Sequence, residues 1–251
     1  MAGKIISIHS FRGGTGKSNT TANLAYTLAE MGLRVGVVDT DIQSPGIHVL
    51  FNEPEPRTNT LNDYLWGNKT VKEVVRDISA RFSLPAGRLN FIPSSIEMGD
   101  ITRILKEGYD VTVLNQCFRE MTDYCSLDYL LVDTHPGLNE ETLLSIAISD
   151  ILLLIMRPDK QDFQGTSVTV EVARRLKCEK ILLAVNKVLP YHSSADVKAK
   201  AEKVYGCEVG GVFQLTDKLV ELASAGLLSE NEPDDLWSRE LRSLAGRITE
   251  L

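Results

Sequence analysis

Positive charge is in short supply in this chain. Its 27 Lys and Arg stand against 34 Asp and Glu, a formal net charge of −7. That balance gives no overall electrostatic footprint for nucleic acid, although a local basic face stays open. Cysteine is scarce too. The four, Cys117, Cys125, Cys178 and Cys207, form no Cys-x-x-Cys pair. They argue against a metal cluster and read as reduced, partly buried thiols of a cytosolic protein. Long apolar runs are missing: the longest, Ile151–Met156, is far too short to span a bilayer. The opening Met-Ala-Gly-Lys leads into a strand with no signal-peptide pattern, so the expected location is cytoplasmic. There is no repeat, low-complexity tract or coiled-coil heptad, and no composition shift that would divide the chain. The 251 residues, 43 % of them hydrophobic, read as a single domain over 1–251 with ample material for a core.

What the chain does have is alternation. Apolar strand patterns at 5–9, 35–39, 89–93, 129–133, 151–156, 181–186 and 211–214 are separated by helical patterns. The helices are expected at 19–31, 71–80, 100–107, 112–123, 140–148, 166–176, 195–205, 217–224 and 237–249. Segments 52–60 and 230–235 read as surface connections. This is the pattern of an α/β fold: a mostly parallel twisted sheet flanked by helices on both faces.

Between the first strand and the first helix lies Ser10-Phe11-Arg12-Gly13-Gly14-Thr15-Gly16-Lys17-Ser18. Strand, glycine-rich turn, Lys-Ser and helix is the context of a phosphate-binding P-loop. Gly13, Gly14 and Gly16 allow close backbone approach to phosphate. The loop N–H groups through Thr15 and Asn19 and the helix N-terminus offer partial positive charge. Lys17 adds a full charge at the β- and γ-phosphates, and the Ser18 hydroxyl suits Mg²⁺. The common loop has glycine where this chain has Phe11, and Arg12 precedes the glycine pair.

A nucleotide in such a sheet sits beyond the carboxyl ends of the strands. Three aspartates are expected there. Asp39 closes the second strand and Asp41 follows two residues later on the same side. One can hold a Mg²⁺-bound water while the other orients the attacking water. Asp133 ends the apolar run Tyr129-Leu130-Leu131-Val132, the Walker B arrangement. Thr134-His135-Pro136-Gly137 follows; Gly137 can offer its N–H to a γ-phosphate. His135 reads as a general base, a switch-loop contact or a local hydrogen bonder. Asn186 stands where GTPases carry Asn-Lys-x-Asp, but Leu189 replaces the guanine-selecting aspartate. Asn186 can still pair with an adenine edge, so ATP is expected over GTP. In Arg157-Pro158-Asp159-Lys160, Lys160 is either a solvated turn residue or a second phosphate contact.

The loop, the Asp-x-Asp segment, the Walker B strand with Pro-Gly and the closing helices together resemble the ParA/MinD family of P-loop ATPases. The family's loop is the deviant Walker A pattern, with Arg12 here in the place of its signature lysine. The resemblance implies a three-layer α/β/α P-loop fold, ATP and Mg²⁺ as cofactors, and an ATP-dependent homodimer. It implies that Asp41 orients water, that Asp39, Ser18 and Asp133 serve the metal, that the stretch around Gln214 borders the adenine partly through backbone, and that Arg12 reaches phosphates across the dimer. It also implies a protein activator or cargo adaptor, and a role in positioning a division site, organelle or other cargo. The stretches Asp-Ile-x-Ser-Pro-Gly and Thr-His-Pro-Gly-Leu-Asn are similar to those of MinD rather than plasmid partition ATPases. The paired cysteines of iron–sulfur carrier relatives are not present.

Two surface partners stay open. Trp237, Leu241, Leu244, Ile248 and Leu251 recur at helical spacing and suit either packing on the sheet, the favoured reading, or reversible membrane association. Lys198, Lys200 and Lys203 suit a solvated helix face or non-specific DNA. The functional alternatives are a P-loop metabolic enzyme that phosphorylates or activates a small molecule, and an ATP-binding regulatory module with negligible hydrolysis.

Overall fold

Eight strands form one sheet in the computed structural model, which describes residues 3–251. The reading of the N-terminal Met1 and Ala2 lies outside the described residues. The strands are β1 (Lys4–His9), β2 (Arg34–Asp39), β3 (Arg76–Asp77), β4 (Arg88–Ile92), β5 (Tyr129–Asp133), β6 (Ile151–Met156), β7 (Lys180–Val188) and β8 (Glu208–Gln214). Their order is β3-β4-β2-β5-β1-β6-β7-β8. All pairings are parallel except the short β3–β4 ladder. The mostly parallel α/β sheet expected from the sequence is therefore the observed one, and it matches the P-loop ATPase fold.

Both faces of the sheet are covered, which is why the strands read as continuous apolar runs. Alternation within each strand sends residues to opposite layers. On β5, Tyr129 and Leu131 join the core beneath helices Lys17–Glu30 and Leu236–Glu250, while Leu130 and Val132 join the core on the other face. The closing helix Leu236–Glu250 spends its apolar stripe on that first core: Trp237, Leu241, Leu244 and Ile248 are all buried. Arg242 and Arg247 pair with Glu30 and Glu208 at its flanks. No helix among the described residues is long and apolar enough to cross a membrane.

Beyond unexpected short helical turns at Ile47–Leu50, Leu61–Leu65 and Leu228–Asn231, three segments differ from expectation. The helix expected over 71–80 stops at Val74. Val75 turns extended, and Arg76 and Asp77 pair with Phe91 and Asn90 to add an antiparallel edge strand. Sheet pairing and the bridges from Glu53 to Arg76 and Arg81 override the local helical pattern there. The helix expected over 166–176 starts earlier, at Lys160, because the Asp159 carboxylate accepts from the N–H groups of Gln161 and Asp162. Gly165 is therefore a mid-helix residue, and a Cβ there would collide with the Phe11 ring. Last, β8 begins at Glu208 rather than 211, with Gly210 and Gly211 fitting beneath Leu244 and Phe213.

Order reverses beside β1, which has β5 on one side and β6 on the other. That is the topological switch point where such sheets bind ligands, and the glycine-rich loop leaves from it.

Candidate nucleotide site

The loop between β1 and the helix Lys17–Glu30 forms an open cradle of about 210 Å³ lined by Ser10, Gly13–Asn19, Asp41 and Pro136. Gly14 and Gly16 take left-handed conformations, φ 76° and 93°. Gly16 is also the N-cap, so no side chain occupies the helix end and its N–H groups face the cradle.

Behind the cradle, Lys17 and Asp133 are both buried, and Lys17 Nζ lies 2.9 Å from Asp133 Oδ1. Thr21 Oγ1 donates to the same oxygen at 2.9 Å. Thr21 was not singled out by its sequence. Its position one helical turn after Lys17 was the available signal. Asp133 Oδ2 is buried and has no hydrogen-bond partner.

Register places Asp39 on β2 directly beside Asp133 on β5. The Asp39 carboxylate accepts from the N–H groups of Asp41, Gly46 and Ile47. Burial, and then the Asp133 carboxylate, push Asp39 well above the usual carboxylate range against those bonds. An orphaned oxygen on Asp133 and an Asp39 driven toward neutrality are what a hard divalent cation would relieve, and Ser18 adds a hydroxyl oxygen to the set. Among the described residues no three His, Cys, Asp or Glu side chains converge to hold a metal alone. This suits Mg²⁺, which keeps waters and phosphate oxygens in its shell.

Asp41 faces the cradle, and its Oδ1 lies 2.7 Å from His135 Nδ1. The sequence left His135 among three roles; here it is a contact between the loops after β2 and β5. His9, at the end of β1, is fully buried, with Nδ1 2.8 Å from Thr134 Oγ1 and Nε2 unpartnered. Burial, then Lys17 and His135, lower its pKa to about 3, so it sits neutral under the loop.

Two expected contacts are engaged elsewhere. The Gly137 N–H donates to Ser10 O at 3.1 Å, so it is not free for a γ-phosphate in this state. Arg12 does not line the cradle. It lies 3.5 Å from Asp162 and 3.8 Å from Asp159, along the groove beside Phe11 and Gly165. Lys160 is exposed at the start of the same helix.

On the side expected to take the base lies a second cavity of about 210 Å³ bounded by Gly16, Asn19, Asn186, Gln214, Leu215 and Trp237 among others. Asn186 is there as expected, but its amide is not wholly free. Nδ2 donates to Thr15 O at 2.8 Å, and Oδ1 accepts from the Lys187 N–H. Lys187, in a left-handed conformation, reaches Gly14 O at 2.8 Å. The end of β7 therefore clamps the glycine loop as well as lining the pocket. On the outer surface, Lys198 pairs with Glu202, and Lys200 lies over the Phe163 ring.

Comparison with known proteins agrees with this geometry. The flagellum site-determining protein YlxH of Helicobacter pylori is 28 % identical over 252 residues, 98 % of this chain and 81 % of the relative. An iron–sulfur cluster carrier protein of Methanocaldococcus jannaschii is 28 % identical over 236 residues, covering 88 % of this chain and 76 % of the relative. The structure of the septum site-determining protein MinD of Pyrococcus horikoshii, complexed with Mg-ADP, superposes with a TM-score of 0.81 at 20 % identity, covering 98 % of this chain and 95 % of that one. Residues 3–185 match the sequence model of the AAA domain family. The chain therefore belongs to that AAA domain family, among the P-loop ATPases of ParA/MinD type.

Proposed function

We propose that residues 1–251 act as a single Mg²⁺-dependent ATP-binding and ATP-hydrolysing domain, a dimerisation switch that positions a division site, organelle or other cargo. The observation that carries this reading is the buried set behind the cradle. Lys17 and Thr21 meet on one oxygen of Asp133, its other oxygen is orphaned, and Asp39 is held beside it.

In this reading Lys17 exchanges Asp133 for the β- and γ-phosphates, joined by the N–H groups of Gly13 through Asn19. Ser18, Asp39 and Asp133 would hold Mg²⁺, which supplies charge neutralisation at the phosphates. Asp41 orients the attacking water toward the γ-phosphate. Asn186 and Gln214 border the base, and Leu189 in place of an aspartate leaves ATP favoured over GTP. Arg12 lies outside its own cradle and is the candidate to reach a partner's phosphates, with exposed Lys160 at the start of the helix that bears Asp162 as a second candidate. A protein activator or cargo adaptor, non-specific DNA and a membrane surface are the classes of partner to test.

The carrier-protein relative suggests iron–sulfur cluster carriage as a second reading. It has less support here. Cys117 is buried with its thiol pushed far up by that burial, and no two of the four cysteines stand in a Cys-x-x-Cys pair.

The test is phosphate release with Mg-ATP and Mg-GTP by wild type and Asp41→Ala. ATP turnover that falls by about a hundredfold or more in the variant, with ATP binding kept, is expected. Normal turnover by Asp41→Ala overturns the assignment. Preference for GTP overturns the base reading.

A further inference from the structure

The His135–Asp41 contact goes beyond the roles above. We propose that His135 is a positioning residue for hydrolysis: it holds one oxygen of the Asp41 carboxylate from behind, so that the other faces the cradle. The inference rests on the hydrolytic reading of Asp41.

Asp41 lines the cradle with the glycine loop and Pro136, and His135 is not among the residues that line it. Its Nδ1 is 2.7 Å from Asp41 Oδ1. A carboxylate can only accept, so Nδ1 carries the proton and donates. Both side chains are largely enclosed, 13 % exposed for Asp41 and 25 % for His135. Among the described residues this is the one hydrogen bond made by the Asp41 side chain.

The ring is itself carried on a pinned segment. On one side of it the Thr134 N–H and hydroxyl both donate to Ile8 O, at 3.2 and 3.0 Å. On the other side the Gly137 N–H donates to Ser10 O, at 3.1 Å. Pro136 lies between, with its φ fixed by the ring. The segment is thus tied at both ends to the strand end and loop that form the cradle. Asp41 sits on the loop after β2, with its N–H held by Asp39 Oδ1 at 3.1 Å and no side-chain partner for its carboxylate other than His135. The backbone that carries the ring is tied to the cradle, so the ring can set the direction of the Asp41 carboxylate. Correct aim of such a group is worth large factors in rate and little in binding.

The test measures single-turnover ATP hydrolysis and the Kd of a fluorescent ATP analogue for five proteins. They are wild type, Asp41→Ala, His135→Ala, His135→Asn and the double variant Asp41→Ala/His135→Ala. His135→Ala is expected to slow hydrolysis by roughly tenfold to a hundredfold, the factor for one hydrogen bond to a charged group, while Kd changes less than about threefold. His135→Asn places an amide donor where Nδ1 was and is expected to restore the rate to within about fivefold. In the Asp41→Ala background, loss of His135 has no further effect, because the residue it aims is gone. Wild-type rates in His135→Ala, equal losses in His135→Ala and His135→Asn, or additive losses in the double variant each overturn the proposal while leaving Asp41 in place. A wild-type rate in Asp41→Ala instead overturns the hydrolytic reading, and the positioning role with it.

Discussion

At the phosphate end of the groove Lys17 and Thr21 are buried and bound to Asp133, with buried Asp39 beside it, while at the base end Asn186, Gln214 and Leu215 border a cavity. The two ends meet at Gly16 and Asn19, which line both. The phosphate end depends on full charges that have few alternatives in a dry interior. The base end depends on shape, on one amide, and on backbone carbonyls of the glycine loop, Thr15 O and Gly14 O, held by Asn186 and Lys187. Charge chemistry restricts residue type; a pocket wall hardly does. Substitutions should therefore separate the ends sharply.

The largest effect is expected from Lys17→Ala. It leaves Asp133 buried beside Asp39 without its cation, a change of about 3–5 kcal/mol for a broken buried pair. ATP affinity should fall by about a thousandfold by calorimetry, and an unchanged Kd would break the charge account of this end. Gly16→Ala comes next, because it strikes both ends at once. Alanine at φ 93° is strained, and its Cβ would collide with the Asn186 amide. A loss of about 2–3 kcal/mol in stability, read by denaturant unfolding, is expected from the backbone strain alone.

His9 sharpens the contrast through pH. Its pKa is lowered to about 3 by burial, then by Lys17 and His135. The unfolded chain takes up this proton below about 6.5 and the folded chain does not, so folding stability falls as pH falls through that window. Between pH 6.5 and 5 the share from His9 is about 2 kcal/mol. His9→Gln, which cannot titrate, should flatten the pH dependence of Tm there; an unchanged slope would remove His9 from the account. The smallest effect is expected at the base end. Asn186→Ala should weaken ATP by only about tenfold and cost about 1 kcal/mol of stability as Thr15 O loses its donor. A loss as large as that of Lys17→Ala would erase the difference between the two ends.

The same contrast explains what could be read from the sequence. Lys17, Ser18, Asp39, Asp41 and Asp133 stood out because apolar strands ending in a charge, and glycines preceding Lys-Ser, have few physical uses. The strands β5 and β6 were legible to the residue, since strands buried on both faces are apolar throughout. Thr21 was hidden because a threonine inside a helix resembles any other until Asp133 is brought beneath it. The clamp by Asn186 and Lys187 was hidden because its partners are backbone carbonyls, which any sequence supplies. The edge strand at Arg76–Asp77 was hidden by a local helical pattern that only its neighbour β4 overrides. Phe11, odd for a glycine-rich loop, made sense only against Gly165, more than a hundred residues away in sequence.

Arg12 is the residue on which the proposed switch turns. It stands beside Asp159 and Asp162, outside its own cradle, the position from which the proposal has it reach a partner's phosphates. The most direct test is the mass in solution of Asp41→Ala, by light scattering after gel filtration, with Mg-ATP and with Mg-ADP. The account predicts a dimer with ATP and a monomer with ADP. One mass with both nucleotides would contradict it.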